Sequence, residues 1–297
     1  MKQLWVYGMS FLITALGIGG TLFFFMKNPT EQETVSAPSQ TEIVQEVGSA
    51  EANTSGPVQQ QSVPPGDEKF SSAQQMKAQG DFGKAREVLK EIIQSQNQVP
   101  YIEQVEKEYW DTNVKLLFSN QPIEGWTEEV VVQKGDSLFS IANQFHTTVD
   151  LLSESNDLQN AVIRPGQALR VFIGELSIVV DKSLNTLTLK ANGEVLKVYS
   201  VGTGVEGSTP VGDFKIVNKL ENPPWHHDGK VVPFGDPENI LGTRWMGFDL
   251  KGYGIHGTSD PGSVGSQSSA GCVRLRNEEV EELYKIVPVG TMVTVVE

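Results

Sequence analysis

The sequence predicts a multidomain α+β chain: an N-terminal membrane helix, a disordered linker, a small helical segment, a βααβ unit and a mainly-β C-terminal domain. The chain has 297 residues, more than the roughly 100–150 of a typical domain. Residues 4–26 carry no charge, and beyond them the apolar pattern changes from none, through spacings of three and four, to alternation. The formal net charge of −14 removes nucleic acid as a partner, because phosphate contact needs a basic face.

At about 1.5 Å per residue, the uncharged run is long enough to cross a hydrocarbon core of about 30 Å, so residues 1–27 are read as a membrane anchor. A cleavable signal peptide is the rival reading. Against it, the run outlasts the usual apolar region of roughly 7–15 residues, and no small-x-small site follows closely. No Lys or Arg stands between Lys27 and Lys69, which places the N-terminus in the cytoplasm and the body outside. Residues 28–67, rich in Ser, Thr, Pro, Gln and Glu and without aromatics, cannot bury enough apolar area to offset ordering. They read as a flexible linker with a reach of roughly 35 Å.

Helical periodicity fills residues 68–120. Phe70, Ala73 and Met76 precede a Gly80-Asp81 break, Ala85, Leu89 and Ile92 follow it, and a third run carries Ile102, Val105, Tyr109, Val114 and Leu117. The first pair of runs resembles one tetratricopeptide-type hairpin. A single repeat cannot cover its own apolar face, so packing on its neighbours is expected.

Residues 128–173 alternate briefly at Val130–Val132 and turn at Lys134-Gly135-Asp136. Two short helices follow, with Ser137 and Thr148 as N-caps and Leu138, Ile141, Ala142, Leu151 and Leu152 facing inward. Residues 168–172 read as the closing strand after Arg164-Pro165-Gly166. Gly135-Asp136-Ser137-Leu138, Ile141-Ala142, Asn156, Pro165-Gly166 and Leu169 together resemble the lysin motif (LysM). Membership implies binding to N-acetylglucosamine-containing glycan, here peptidoglycan strands.

Residues 175–297 are strand-rich. Asn192-Gly193 between two alternating runs is a two-residue hairpin signal. A helix capped by Asn277, with Val280, Leu283 and Val287 inward, precedes a last strand over residues 291–296. Pro223-Pro224-Trp225-His226-His227-Asp228 falls in a long loop suited to forming a lid or substrate wall. Adjacent histidines on an extended chain point apart, so no metal is assigned to this loop.

The chain's single cysteine, Cys272, lies sixteen residues after His256 in a stretch crowded with Gly and Ser. A thiol of pKa about 8.5 becomes a better nucleophile when an imidazole takes its proton and forms an ion pair. Gly271 lets the backbone approach a ligand, and the amides of Gly271 and Cys272 are positioned by sequence to share one carbonyl oxygen. An isolated Cys and an isolated His are more often a small buried side chain and a satisfied turn residue. Here His256-Gly257, Ser269-Ala270-Gly271-Cys272-Val273-Arg274 and the upstream Gly202-Thr203-Gly204 and Ser208-Thr209-Pro210-Val211-Gly212-Asp213-Phe214 resemble the L,D-transpeptidase catalytic domain.

That resemblance implies Cys272 as the nucleophile on a stem-peptide carbonyl, His256 as base and the Gly257 carbonyl as the group orienting it. Gly271 and Cys272 become the oxyanion hole. Arg274, Ser269, Trp225 and Tyr253 are the candidate substrate contacts, and no cofactor is expected. One position departs from the pattern: Ala270 stands where the family has a second His. Two other readings stay open, an L,D-carboxypeptidase using water as acceptor and a membrane-tethered peptidoglycan-binding protein whose catalytic site has decayed.

Overall fold

Residues 67–95 and 100–297 are described by the computed structural model. The expected membrane segment, 1–27, and residues 28–66 of the expected linker lie outside the described residues. Among the described residues, no helix is long and apolar enough to cross a membrane.

Three helices come first: α1 (Glu68–Ala78), α2 (Phe82–Gln94) and α3 (Ile102–Phe118). The Asp67 carboxylate accepts from the Phe70 N–H at 2.9 Å and so satisfies one of the free donors at the start of α1. Phe70, Ala73, Leu89, Ile92, Val105 and Tyr109 make a small core between the three. Val114, Leu116 and Leu117, near the end of α3, belong instead to the main core of the C-terminal domain. The helical segment therefore packs on its neighbour, as a lone hairpin must.

The next unit is β1 (Thr127–Val131), α4 (Leu138–Gln144), α5 (Val149–Glu154) and β2 (Ala168–Phe172), with β1 and β2 antiparallel. Ser137 and Ser140 form a reciprocal capping box on α4, and the Thr148 hydroxyl accepts from the Leu151 N–H at 3.0 Å on α5. Val132, Leu138, Ile141, Leu152, Leu169 and Val171 close its core.

The C-terminal domain is built on one eight-stranded sheet. In chain order its strands are β3 (Leu176–Asp181), β4 (Thr186–Ala191), β5 (Glu194–Ser200), β7 (Gly212–Glu221), β10 (Arg244–Phe248), β11 (Gly254–His256), β13 (Val273–Arg274) and β14 (Met292–Val296). Two short pairs stand apart from it, β6 (Thr203–Gly204) with β12 (Gln267–Ser269), and β8 (Trp225–His227) with β9 (Lys230–Val232). Spatial order across the sheet is β13-β11-β10-β7-β14-β3-β4-β5, with β14–β3 and β11–β13 parallel. Asn192 and Gly193 both take positive φ, at 49° and 80°, as the tight β4–β5 turn requires.

Two expectations are corrected. Residues 223–228 do not form an open loop, because Trp225–His227 pairs antiparallel with Lys230–Val232 as a hairpin. Helix α6 (Asn277–Ile286) is not capped by Asn277. Arg276 takes the cap position, its N–H donating to the Glu279 carboxylate at 3.3 Å, and the Asn277 amide turns to Thr243 and Thr258.

Candidate active site

The pairing of β11 with β13 brings the two reactive side chains to one place. His256 ends β11 opposite Arg274 of the parallel strand β13, so Cys272, two residues earlier, sits one strand over from the imidazole. Arg274 is pinned from the other side by a reciprocal pair of 2.8 Å backbone bonds with Gly202. His256 and Cys272 line one cavity of about 630 Å³ together with Trp225, Tyr253, Ser269 and Arg274. Gly257 and Gly271 do not themselves line it.

His256 is only 1% exposed. Its ring stacks on Trp245, which faces it in the β10–β11 register, with centroids 5.9 Å apart. Its Nδ1 lies 2.6 Å from the Gly257 carbonyl oxygen. A carbonyl only accepts, so the hydrogen sits on Nδ1 and Nε2 carries the free lone pair. Burial lowers the imidazole pKa to about 4; the backbone bonds to Gly257 and Leu241 push against that shift and the Arg274 charge adds to it.

Burial pushes the Cys272 thiol pKa up, while a backbone bond from Gly254 and the Arg274 charge pull it back. The thiol points at the Gly252 carbonyl, 3.5 Å from Sγ. Both shifts favour the neutral forms. The resting pair is thus a thiol and a neutral imidazole, in place of the ion pair expected from sequence.

The turn before Cys272 is held by its own residues. Gly271 has φ +133°, and a Cβ there would lie 2.7 Å from Tyr253 Cε1 and 3.1 Å from the Ser208 carbonyl oxygen. Only glycine fits. The Ser269 hydroxyl donates to the Cys272 carbonyl at 2.7 Å and accepts from the Gly271 N–H at 3.0 Å. Two sequence expectations change as a result. Ser269, 1% exposed, lines the cavity but spends its hydroxyl on the loop, and the Gly271 amide is committed to Ser269 and not free for an oxyanion. The Cys272 N–H is the uncommitted one of the pair, and the hydroxyl of Tyr253, whose ring lies against Gly271 and also lines the cavity, has no hydrogen-bond partner among the described residues.

Arg274 reaches the cavity with no carboxylate in ion-pair range among the described residues, and its Nε is buried without a partner. Elsewhere in the lining, the Trp225 ring stacks on His227 at 4.5 Å, and His226 also lines the cavity. Positions two apart on a strand share a face, which produces the Trp225–His227 stack. Among the described residues, no group of three His, Cys, Asp or Glu side chains could hold a metal ion. Sequence reasoning passed over Trp245, Asn218 and Leu241 in the cavity wall. For Trp245 the signal lay in the strand register, since it stands directly opposite His256.

A family model described as the L,D-transpeptidase catalytic domain (YkuD) matches residues 175–295, and a LysM domain model matches residues 130–172. YqjB of Bacillus subtilis (strain 168), which bears an L,D-transpeptidase name, is 43% identical over 128 residues, 41% of this chain and 72% of that one. YkuD of the same organism, named likewise, is 35% identical over 171 residues, 55% of this chain and 96% of its own length. A solved structure of an L,D-transpeptidase from Mycobacterium smegmatis is 25% identical at a TM-score of 0.37; the match covers 44% of this chain and 64%, just under two thirds, of that one. Local motif, site geometry and the two Bacillus subtilis relatives agree, and the chain belongs to the L,D-transpeptidase family, with a LysM domain ahead of its catalytic domain.

Proposed function

We propose that this chain is a membrane-tethered peptidoglycan L,D-transpeptidase that works outside the cytoplasm through a thioester on Cys272. The observation that carries the reading is the shared cavity lined by both the Cys272 thiol and His256, whose Nδ1 is held by the Gly257 carbonyl so that the neutral ring keeps its lone pair on Nε2. His256 Nε2 takes the Sγ proton as sulfur bonds to the donor-stem carbonyl carbon at an L–D peptide bond. The imidazolium then gives that proton to the departing amine, and the C–N bond breaks to leave the thioester. An acceptor amine attacks in turn, His256 takes its proton and returns it to sulfur, and a new amide forms. The Cys272 N–H and the Tyr253 hydroxyl supply the oxyanion donors, and Arg274 holds a substrate carboxylate.

The LysM domain supports glycan strands as the surface on which this happens, and the uncharged run at residues 4–26 supports the tether. Ala270 removes an imidazole from the family pattern, while His256 and Cys272 still line one cavity. A decayed site would have no reason to keep a glycine wedged at φ +133° beside its cysteine. The test is muropeptide digestion of cell wall treated with the pure protein. New 3→3 cross-links, abolished by Cys272→Ala, are the expected result. Loss of a terminal D-Ala without cross-links would make water the acceptor and the protein an L,D-carboxypeptidase. Turnover retained in Cys272→Ala would overturn the nucleophile.

A further inference from the structure

We propose that Asn277 is a positioning residue for the His256 base, acting through the single peptide plane that joins Gly257 to Thr258. The inference rests on the enzyme reading above for its functional meaning and on geometry alone for its mechanism.

Asn277 is the first residue of α6, and none of its side-chain bonds goes to that helix. Its Oδ1 accepts from the Thr243 N–H and from the Thr258 N–H, each at 3.2 Å, and its Nδ2 donates to the Thr258 carbonyl at 3.0 Å. The Thr258 N–H belongs to the same planar trans unit as the Gly257 carbonyl. In such a unit the N–H and C=O point in opposite directions. A grip on the N–H therefore aims the carbonyl, and that carbonyl is the one 2.6 Å from His256 Nδ1. Asn277 in this way sets, at one remove, which imidazole nitrogen carries the hydrogen.

The surroundings leave no room for the plane to turn. A Cβ at Gly257 would collide with Asn277 Oδ1, and one at Gly242, where φ is +63°, would lie 2.5 Å from the Thr258 nitrogen and 2.7 Å from the Gly257 carbonyl carbon. Both glycines allow the amide to sit flush against the peptide it holds. The preceding peptide is fixed separately, by the Gly257 N–H on the Arg244 carbonyl at 3.1 Å. Asn is the side chain that suits this place: its oxygen accepts from two N–H groups while its separate NH₂ donates to one carbonyl, whereas a carboxylate has no donor and a hydroxyl would have to make all three bonds from one atom. Without it, the Gly257–Thr258 plane gains freedom to rotate and the imidazole loses the acceptor that reserves Nε2 for the thiol.

The chain holds 4 His, so long-range proton–nitrogen spectra of the detergent-solubilised full chain, labelled in histidine, resolve the tautomer directly. Wild type is expected to show His256 protonated at Nδ1 and bare at Nε2 at neutral pH. Asn277→Ala should show a fraction protonated at Nε2, and acylation of Cys272 by a carbapenem, read by intact mass, should slow by about tenfold to a hundredfold, the usual scale for a misplaced catalytic group. Asn277→Asp keeps the two accepted bonds but sets a carboxylate against the Thr258 carbonyl, and should lie between. Asn113→Ala serves as control, removing a buried amide that bonds Arg86 and the Leu196 carbonyl; it should leave tautomer and rate per folded molecule unchanged. A folded Asn277→Ala with the wild-type tautomer and rate overturns the proposal, and if that variant does not fold, the same result in Asn277→Asp overturns it. Should wild type resist acylation while Asn277→Ala still shifts the tautomer, the positioning stands and the enzyme reading falls.

Discussion

Burying a neutral imidazole makes the fold sensitive to acid in a way that reports on the site. His256 is held at a pKa of about 4 against an ordinary 6.5, with desolvation the largest cause. Between those values the unfolded chain binds a proton that the native state refuses, so this group's contribution to stability is complete above pH 6.5 and is lost as pH falls toward 4. At pH 4.5 the loss should be roughly 2–3 kcal/mol relative to pH 7. Denaturant titration at the two pH values measures it, and His256→Gln should remove that share of the acid sensitivity while the carboxylates keep theirs. An equal loss in both proteins would mean that the imidazole is not buried neutral. At this scale the site was largely legible, because His256-Gly257 and Ser269 through Arg274 are a contiguous local signal. The uses of Ser269 and Asn277 were not. A hydroxyl that bonds its own loop and an amide that leaves its own helix look, in sequence, the same as a substrate contact and an N-cap.

Elements show how the edge of the sheet is closed. β5 is the last strand of the eight, and α3 lies along it: the Asn113 amide donates to the Leu196 carbonyl at 3.0 Å, and the Tyr109 hydroxyl donates to Glu194 at 2.6 Å. Such cover removes an open strand edge that would otherwise invite pairing with another chain. Arg86, 7% exposed, joins the same cluster with a 2.8 Å ion pair to Glu194 and a 3.0 Å bond from Nε to Asn113. Glu194 is partly open to solvent, so Arg86→Ala should cost about 1–3 kcal/mol in denaturant midpoint, short of the penalty for a fully buried pair, with activity per folded molecule intact. A loss below about 0.5 kcal/mol would show that the helices do not depend on this clamp. Periodicity located α1 to α3 and the lysin-motif elements, since their signals are carried within each segment. It missed the β8–β9 hairpin, whose Asp228-Gly229 turn was hidden among histidines and prolines that read as loop.

Across the whole molecule, α6 ties the parts together. Its C-terminal carbonyls are held by Lys219, whose Nζ donates to Tyr284 at 2.5 Å and Val287 at 2.8 Å, and Thr148 of the lysin-motif unit donates to the Lys285 carbonyl. Lys285 also pairs with Glu154 at 2.7 Å. The other end of α6 carries Asn277 and the His256 loop. The order of strands in the sheet could not be read from the chain, because β14 lies between β7 and β3, pairings set by contacts far apart in sequence. The account rests in the end on a sulfur atom that forms a bond. Purified protein mixed with a disaccharide-tetrapeptide donor, quenched in acid and digested, should yield the Cys272 peptide carrying the donor acyl group, with accumulation slowed at least about a hundredfold in His256→Gln and absent in Cys272→Ala. Donor consumption with an unmodified Cys272 peptide at every time point, or an equal rate in His256→Gln, would contradict it.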